Sequence, residues 1–327
     1  MNLLIIIFVA IALLFDFLNG FHDSANVVAT AIASRAMSPR FALGMTALAN
    51  FAGPFLFGVA VAKTIGNEVV GSEAVTVPVA LAALISAIIW NVLTWLLGIP
   101  SSSSHALIGG FVGAAVTGFG MSIVHLEGMV KVLIGLFISP LIGLVLGWFV
   151  MRQSLFVGRH SPPSINLFFR RAQWLTALTL GLSHGTNDAQ KTMGIIALGL
   201  VAFGVLPEFR VPFWVIAASA GAIALGTALG GWRLIRTMGA GFYRIRAIHA
   251  LSSQVASTIV ILGAAILGAP VSTTQVISST IVGAGAAHRV QMVRWSVATQ
   301  IVVAWILTIP ATGILGAVFF LLLRPIL

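Results

Sequence analysis

The sequence contains no cysteine and very little charge. Of its 327 residues, 59% are hydrophobic and only 7% are charged. Without cysteine, the chain forms no disulfide, no thiolate metal site and no covalent haem attachment. Soluble domains average about 25% charged residues, so a soluble protein could not hide this much apolar surface. The long apolar runs fit helices of about 20 residues and lack the alternation of a β-barrel, so we expect an all-α polytopic membrane protein.

The few basic residues are concentrated in one set of loops. There are 17 Lys and Arg against 7 Asp and Glu, but most lie in short loops, where they contact lipid headgroups, so we expect no nucleic-acid binding. Residues 34–40, 152–171, 232–247 and 288–294 hold 2, 4, 4 and 2 basic residues, whereas residues 63–76, 121–128 and 206–210 hold 1, 0 and 1. The positive-inside rule places the first set in the cytoplasm and predicts both termini outside.

A polar motif occurs twice inside apolar runs. Residues 20–26 read Gly-Phe-His-Asp-Ser-Ala-Asn, and residues 185–191 read Gly-Thr-Asn-Asp-Ala-Gln-Lys, with Asp188 lying 165 positions after Asp23. Polar groups within a bilayer are costly and typically mark a functional site. A third aspartate, Asp16, faces the same cost. We predict that each motif breaks its helix, near residues 19–23 and 184–191.

A second repeated element is rich in hydroxyl groups. Residues 100–105 read Pro-Ser-Ser-Ser-Ser-His, and residues 270–275 read Pro-Val-Ser-Thr-Thr-Gln. Each precedes a short apolar run, which is a pattern typical of a binding site near the membrane midplane. Helix N-termini and hydroxyl groups suit an oxyanion, although such clusters also serve as helix caps. We predict helical hairpins over residues 77–120 and 247–287 with their tips facing each other; full crossings remain the alternative.

The repeated acids suggest how an anion could be coupled to a cation. Two carboxylates beside an oxyanion repel it unless H⁺ or Na⁺ neutralises them, and Asn26, Asn187 and Thr30 offer oxygens of the kind that small cations prefer. Asn26 corresponds to Lys191 in the second motif, and an ammonium beside Asp188 could replace one cation or contact the anion. The nearby His22, His105 and His184 suit a proton pathway.

Other functional classes explain fewer of these features. An intramembrane aspartyl protease would use paired acids but leaves the hydroxyl clusters unexplained. Residues 181–185 read Gly-Leu-Ser-His-Gly, but the hydrolase elbow of that pattern needs an α/β sheet. A passive channel would not need two costly acids. We therefore do not expect an enzyme.

The two motifs identify a resemblance. Residues 20–30 and 183–194 resemble the twin signatures of the PiT family of inorganic phosphate transporters. The His-Asp and Asp-Ala-Gln-Lys residues within them are most similar to the bacterial low-affinity Pit branch of that family. The resemblance implies phosphate uptake by alternating access, an inverted-repeat fold with two hairpins, and a homodimer. Lysine at 191, where sodium-coupled members have asparagine, favours proton coupling. Some short relatives carry sulfate, so a sulfate permease of the same fold remains the alternative.

The prediction is therefore a cation-coupled phosphate importer of a bacterial plasma membrane, with no cofactor beyond the coupling ion. Residues 1–150 and 173–327 would form two inverted repeats, joined by a cytoplasmic linker over residues 151–172. The candidate cation-coupling residues are Asp23, Asn26, Thr30, Asn187 and Asp188, of which Asp23 and Asp188 would be the metal ligands if Na⁺ is used. The candidate phosphate ligands are Ser102, Ser103, Ser104, Lys191, Ser272, Thr273, Thr274 and Gln275.

Overall fold

The computed structural model describes residues 3–67 and 76–326, and these residues form a bundle of α-helices. The predicted loop over residues 63–76 therefore lies mostly outside the described residues. The helices in the first half are α1 (Leu3–Ala33), α2 (Pro39–Phe57), α3 (Ala60–Asn67), α4 (Val77–Leu97), α5 (Ser103–Phe119) and α6 (Leu126–Gly158). Those in the second half are α7 (Ile165–Ala202), α8 (Phe213–Leu229), α9 (Trp232–Ala240), α10 (Ala247–Ile266), α11 (Thr273–His288) and α12 (Trp295–Leu323).

The apolar helices are long enough to cross a bilayer. Among the described residues, α1, α4, α6, α10 and α12 each meet the length and hydropathy expected of a membrane span, and α8 with α9 forms a sixth, bent candidate. Large apolar side chains on α6 and α12, such as Leu141, Val145 and Ile314, are exposed on the surface of the bundle. The prediction of an all-α polytopic membrane protein is confirmed.

The prediction that both polar motifs break their helices is wrong. The helices α1 and α7 run without interruption through residues 20–26 and 185–191. The glycine that opens each motif instead allows close packing. A Cβ atom on Gly20 would collide with the backbone of Ile223 in α8, and one on Gly185 would collide with the backbone of Asn50 in α2. Small residues at such crossings let helix backbones approach each other in membranes.

The helix breaks lie elsewhere, between α2 and α3 and between α8 and α9. The second break turns the chain by 71°. Gly58 and Gly230 have positive φ there, of 79° and 70°, which favours glycine. Two motif residues bind these breaks: Ser24 Oγ accepts a hydrogen bond from Gly231 N at 2.8 Å, and Gln190 Nε2 donates to Gly58 O at 2.7 Å. Each motif therefore holds the break of the other half of the chain.

Two predicted polar loops are largely helical. Residues 232–240 form α9, whose apolar side chains Leu234, Ile235 and Met238 are buried. The predicted linker over residues 151–172 is shorter than expected, because α6 continues to Gly158 and α7 begins at Ile165. Of the arginines in these two segments, all but Arg244 lie on helices or next to their ends.

Two hairpins bring their turns to the same place. Helices α4 and α5 pack against each other, as do α10 and α11, and Gly98 and Gly268 end the first helix of each pair with φ of 71° and 70°. The tips touch, since Ser104 Oγ donates a hydrogen bond to Val271 O at 3.2 Å. This contact, beside the middle of α1 and α7, favours hairpins over full crossings.

The two halves exchange packing partners. Helix α5 packs on α12 and α11 packs on α6, while α1 packs on α8 and α7 packs on α2. The central helices α1 and α7 are antiparallel. Phe8 near the start of α1 packs edge-to-face against Phe203 after the end of α7, with ring centroids 5.8 Å apart. Ser34 after α1 donates a hydrogen bond to Gln173 near the start of α7 at 2.7 Å. This arrangement is what inverted repeats require; the boundaries at residues 150 and 173 stay a prediction.

Replacing Gly185 by alanine is expected to destabilise the folded protein by about 1–3 kcal/mol, because the added methyl group meets backbone atoms that cannot rotate away. Thermal unfolding of the purified protein in detergent measures this. Gly221→Ala is the matched control, since nothing lies within 4 Å of its Cβ position. Equal unfolding temperatures for both variants would contradict the packing role of Gly185.

Candidate functional site

The centre of the molecule holds two buried carboxyl groups from the two halves. Asp23 on α1 and Asp188 on α7 are both fully buried. One carboxylate oxygen from each and one ring nitrogen of His184 all lie within 4.8 Å of one another. The structure thus brings together the two aspartates of the repeated motif, with the imidazole of His184 beside them.

Asp23 is held by side chains from both hairpin tips. Its Oδ1 accepts hydrogen bonds from Asn26 Nδ2 and Thr274 Oγ1, both at 3.0 Å, and lies 2.9 Å from His22 Nδ1. Its Oδ2 accepts a longer bond, of 3.4 Å, from Ser103 Oγ. Neutral donors from α1, α5 and α11 therefore stabilise this carboxylate.

Asp188 is held by one hydroxyl group and by a charged partner. Its Oδ2 accepts a hydrogen bond from Thr273 Oγ1 at 2.7 Å and lies 3.0 Å from His184 Nε2. Its Oδ1 accepts a hydrogen bond from Lys191 Nζ, one turn further along α7. Asp188 therefore has an ion pair where Asp23 has neutral amide and hydroxyl donors.

Lys191 joins the two hairpin tips. Its side chain is 1% exposed, so it does not extend to the membrane surface. Besides Asp188, Nζ donates to Ser104 Oγ at 2.6 Å and to Val271 O at 3.0 Å. All three ammonium protons thus have acceptors, on α7 and on the tips of both hairpins.

The contacts around the two aspartates follow the same plan. Each aspartate bonds to a hydroxyl group on the hairpin of its own half, Ser103 for Asp23 and Thr273 for Asp188. The residue three positions later reaches the opposite hairpin: Asn26 donates to Thr274 at 2.8 Å, and Lys191 donates to Ser104. The two half-sites share this pattern, with an amide exchanged for an ammonium. They differ in their histidines, since His22 comes one residue before Asp23 and His184 four residues before Asp188.

Some of the predicted phosphate ligands have a structural role here. Ser102 and Ser272 are the N-caps of α5 and α11, and their hydroxyl oxygens accept hydrogen bonds from the backbone N–H groups of His105 and Gln275. Caps of this kind fix the direction of a helix N-terminus. Ser102 and Ser272 therefore orient the two helices, while Ser103, Ser104, Thr273 and Thr274 turn their hydroxyl groups to the charged residues.

Three other predicted residues do not contact the two carboxylates. Gln275 Nε2 lies 3.3 Å from the ring nitrogens of His105, its counterpart in the first hairpin. Thr30 accepts a hydrogen bond from Gln254 Nε2 at 2.9 Å. It is two turns from Asp23, about 10 Å along α1, and its place among the cation ligands stays a prediction. Asn187 is buried, and its amide has no hydrogen-bond partner among the described residues.

The structure also adds groups that the sequence did not point to. The carbonyl oxygen of Val271 receives bonds from both Ser104 and Lys191, and no side-chain pattern signals a backbone acceptor. Asn50 Oδ1 lies 3.2 Å from His184 Nδ1, and Asn50 Nδ2 donates to Thr227 at 2.8 Å. Asn50 therefore fixes the ring of His184 beside Asp188.

The donor set fits a hard cation and an oxyanion together. Carboxylate and hydroxyl oxygens are the ligands that Na⁺ or another hard cation takes. Asp23 supplies the carboxylate, the neighbouring Ser103 and Thr274 supply hydroxyl groups, and no lysine or arginine pairs with Asp23 among the described residues. Asp188 already has the Lys191 ammonium, so it has less capacity for a second cation. The N-termini of α5 and α11 and the hydroxyl groups at the tips supply donors to an anion.

Comparison with known proteins agrees with this geometry. Residues 19–316 match the phosphate transporter family. The chain belongs to this family. It is 45% identical to a probable low-affinity inorganic phosphate transporter of Rhizobium meliloti, over 95% of this chain and 94% of that protein. It is 42% identical to a protein of the same description from Bacillus subtilis, over 99% and 98%. Membership of a transporter family confirms that the chain is not an enzyme.

A solved structure shares the fold. The structure described as the sodium-dependent phosphate transporter superposes with a TM-score of 0.89 over 100% of both chains, at 24% identity. At this identity, the likeness establishes the common helical architecture.

Removing the ammonium alone is expected to be more harmful than removing the whole ion pair. Lys191→Met should cost about 3–5 kcal/mol, because it leaves Asp188 buried without a charged partner. The double variant Lys191→Met with Asp188→Asn should recover much of that loss. Thermal unfolding of the two single variants and the double variant measures the coupling between the residues, and strictly additive losses would contradict a direct buried pair.

Proposed function

We propose that the protein imports inorganic phosphate across a bacterial plasma membrane by cation-coupled symport with alternating access. The observation that supports this most strongly is the contact of two hairpin tips around Asp23, Asp188 and Lys191. It combines hydroxyl donors, two helix N-termini and neutralisable carboxylates in one enclosed place. The curated relatives described as inorganic phosphate transporters agree with this substrate.

Phosphate would lie between the tips of the two hairpins. The helices α5 and α11 start there, and a helix N-terminus carries about half a positive charge with free N–H donors. Ser103, Ser104, Thr273 and Thr274 add four hydroxyl groups, and Lys191 adds one positive charge. A tetrahedral oxyanion can accept hydrogen bonds from both tips at once, so its binding holds the tips together.

The carboxylates favour phosphate over sulfate. Hydrogen phosphate has a hydroxyl group that can donate a hydrogen bond, whereas sulfate at neutral pH only accepts. Asp23 and Asp188 are acceptors when ionised, so they pair with a P–OH group and repel a fully deprotonated anion. A sulfate permease of the same fold is therefore the second candidate, and transport assays with both anions separate the two.

Coupling would arise from the charge of the same two aspartates. Two ionised carboxylates within 4.8 Å oppose the arrival of an anion, so phosphate binds well only when a proton or a metal cation neutralises them. Lys191 already compensates Asp188, which leaves Asp23 as the group that requires a mobile cation. Since Lys191 takes the place of one cation, only one further positive charge is needed at the site. We therefore favour H⁺ as the coupling ion, with Na⁺ at Asp23 as the alternative.

Alternating access would consist of separating the tips on one side at a time. In this structure the candidate ligands at the tips and both aspartates are at most 2% exposed. The site is thus closed to both sides of the membrane, as in an occluded conformation. Because α1 and α7 are antiparallel, the two hairpins would enter the membrane from opposite sides and meet at the site. With the basic loops in the cytoplasm, both termini lie outside, and a homodimer in the lipid bilayer is the assembly that we propose.

Asp23→Asn and Asp188→Asn are expected to abolish gradient-driven phosphate uptake while the protein still inserts and purifies. Asparagine at position 23 cannot carry a proton, and asparagine at position 188 leaves the Lys191 ammonium without its anionic partner, so in both variants the driving ion is no longer coupled to phosphate. Uptake of phosphate and sulfate into proteoliposomes, with H⁺ and Na⁺ gradients imposed separately, measures this. Wild-type rates of driven uptake in either variant would rule out coupling through these residues, and Na⁺-driven uptake alone would replace H⁺ by Na⁺.

Phosphate is expected to protect cysteines placed at the tips. The natural chain has no cysteine, so Ser103→Cys and Thr273→Cys each report one position. Reaction with a small methanethiosulfonate should slow severalfold when phosphate is added, because the anion holds the tips closed. Ser257→Cys is the control, since Ser257 bonds to Thr280 inside the second hairpin at 2.6 Å and should react independently of phosphate. If phosphate did not change the labelling rate of Ser103→Cys or Thr273→Cys, just as it does not change that of the control, a phosphate site between the tips would be excluded.

A further inference from the structure

A third buried aspartate lies outside the site described above. Asp16 is fully buried on α1, two turns before Asp23, which places it about 10 Å nearer to the start of that helix. Neither of its carboxyl oxygens has a hydrogen-bond partner among the described residues. An ionised carboxylate without partners is strongly disfavoured in a buried place, so this group needs a proton or a cation.

Three polar side chains near Asp16 are likewise buried and have no hydrogen-bond partner among the described residues. The hydroxyl groups of Thr192 on α7 and Ser219 on α8 lie beside its carboxyl group, and Asn19 follows one turn later on α1. Buried polar groups are normally paired, so four unpaired ones on three helices indicate a small polar occupant.

The charged groups that act on Asp16 belong to the transport site. They are Lys191 and Asp188 of α7, and α8 contributes only the neutral Ser219. Thr192 is four residues after Asp188 and lies on the same face of α7. A proton on the carboxyl oxygen of Asp16 can pass to the hydroxyl oxygen of Thr192 while that hydroxyl releases its own proton towards Asp188. Asp16 is then ionised and takes its next proton from outside.

Asp16 also breaks the equivalence of the two halves. With the offset of 165 that relates Asp23 to Asp188, Asp16 corresponds to Gly181. The only other charge difference at these motifs is Lys191 in place of Asn26. One half therefore has an extra carboxyl group, the other an extra ammonium group, and the two interact electrostatically. The extra ammonium of Lys191 at the site is thus accompanied by an extra carboxyl group, that of Asp16, which can accept a proton.

We propose that Asp16 is the residue through which protons reach the paired carboxyl groups of Asp188 and Asp23 from the side of the membrane where α1 begins and α7 ends. This rests on the proposed H⁺-coupled transport and adds the residue that delivers the proton. It requires no contact between Asp16 and phosphate, so binding and proton delivery are separable.

Two transport assays on purified protein in liposomes test this role of Asp16. Phosphate uptake driven by an imposed H⁺ gradient needs net proton movement, whereas exchange of internal for external phosphate at equal pH does not. In Asp16→Asn, we expect driven uptake to fall at least tenfold and exchange to stay within twofold of the wild type. Asp16→Glu should recover part of the driven uptake with a shifted dependence on external pH.

Thr46→Val is the matched control. Thr46 is buried, its hydroxyl group has no hydrogen-bond partner among the described residues, and it lies next to Gly181, the counterpart of Asp16. Because no carboxyl group is present there, both assays should be unchanged in this variant.

The possible outcomes separate the inference from the proposed function. Wild-type driven uptake in Asp16→Asn would overturn the role of Asp16 and leave H⁺ coupling intact. An equal fall in driven uptake and in exchange by a folded Asp16→Asn protein would show a structural role only and overturn the inference. If that variant does not fold, an unshifted pH profile in Asp16→Glu would contradict the inference. If the wild type does not respond to an H⁺ gradient, the proposed coupling fails, and this role of Asp16 fails with it.

Discussion

The mutual repulsion of two buried carboxylates is the constraint on which the centre of this protein depends. Asp23 and Asp188 lie so close that both cannot remain ionised without compensation. The structure compensates them with donors from both hairpin tips and with Lys191. Every helix that supplies a donor is thereby tied to the same point, and the tips of hairpins from opposite halves meet there. A change in the charge of the carboxylates consequently changes what holds the tips together.

The halves of the molecule are equivalent in packing and unequal in charge. Gly20 and Gly185 make the same close approach to α8 and α2, and Ser103 and Thr273 make the same bond to an aspartate. Lys191 is the exception, because it replaces a neutral amide by an ammonium group. In a transporter that neutralises its site once in each cycle, a permanent charge in one half lowers the number of mobile cations needed. In the proposed mechanism, this asymmetry sets the number of coupling ions.

The sequence predicted which residues lie together at the centre better than it predicted the geometry around them. Repetition of a costly acid identified Asp23 and Asp188, and repetition of hydroxyl groups identified the two tips. The predicted helix breaks were wrong because glycine has two uses, and Gly20 and Gly185 serve close packing of continuous helices. The sequence also did not show that Thr30 bonds to Gln254, two turns from Asp23, because membership of a motif does not specify the depth along a helix. The carbonyl of Val271 could not be predicted, since backbone acceptors are defined only by the fold.

The most direct test of the account is the number of protons taken up when phosphate binds. Purified protein in detergent, weakly buffered at a fixed pH, would be mixed with phosphate while proton uptake and phosphate binding are both measured. We predict that the wild type takes up more protons than Asp23→Asn, which still binds phosphate because its amide is already neutral. Phosphate contributes equally in both proteins, so the difference reports Asp23. Equal proton uptake by the two proteins, with phosphate binding also independent of Na⁺, would contradict neutralisation of Asp23 as the basis of coupling.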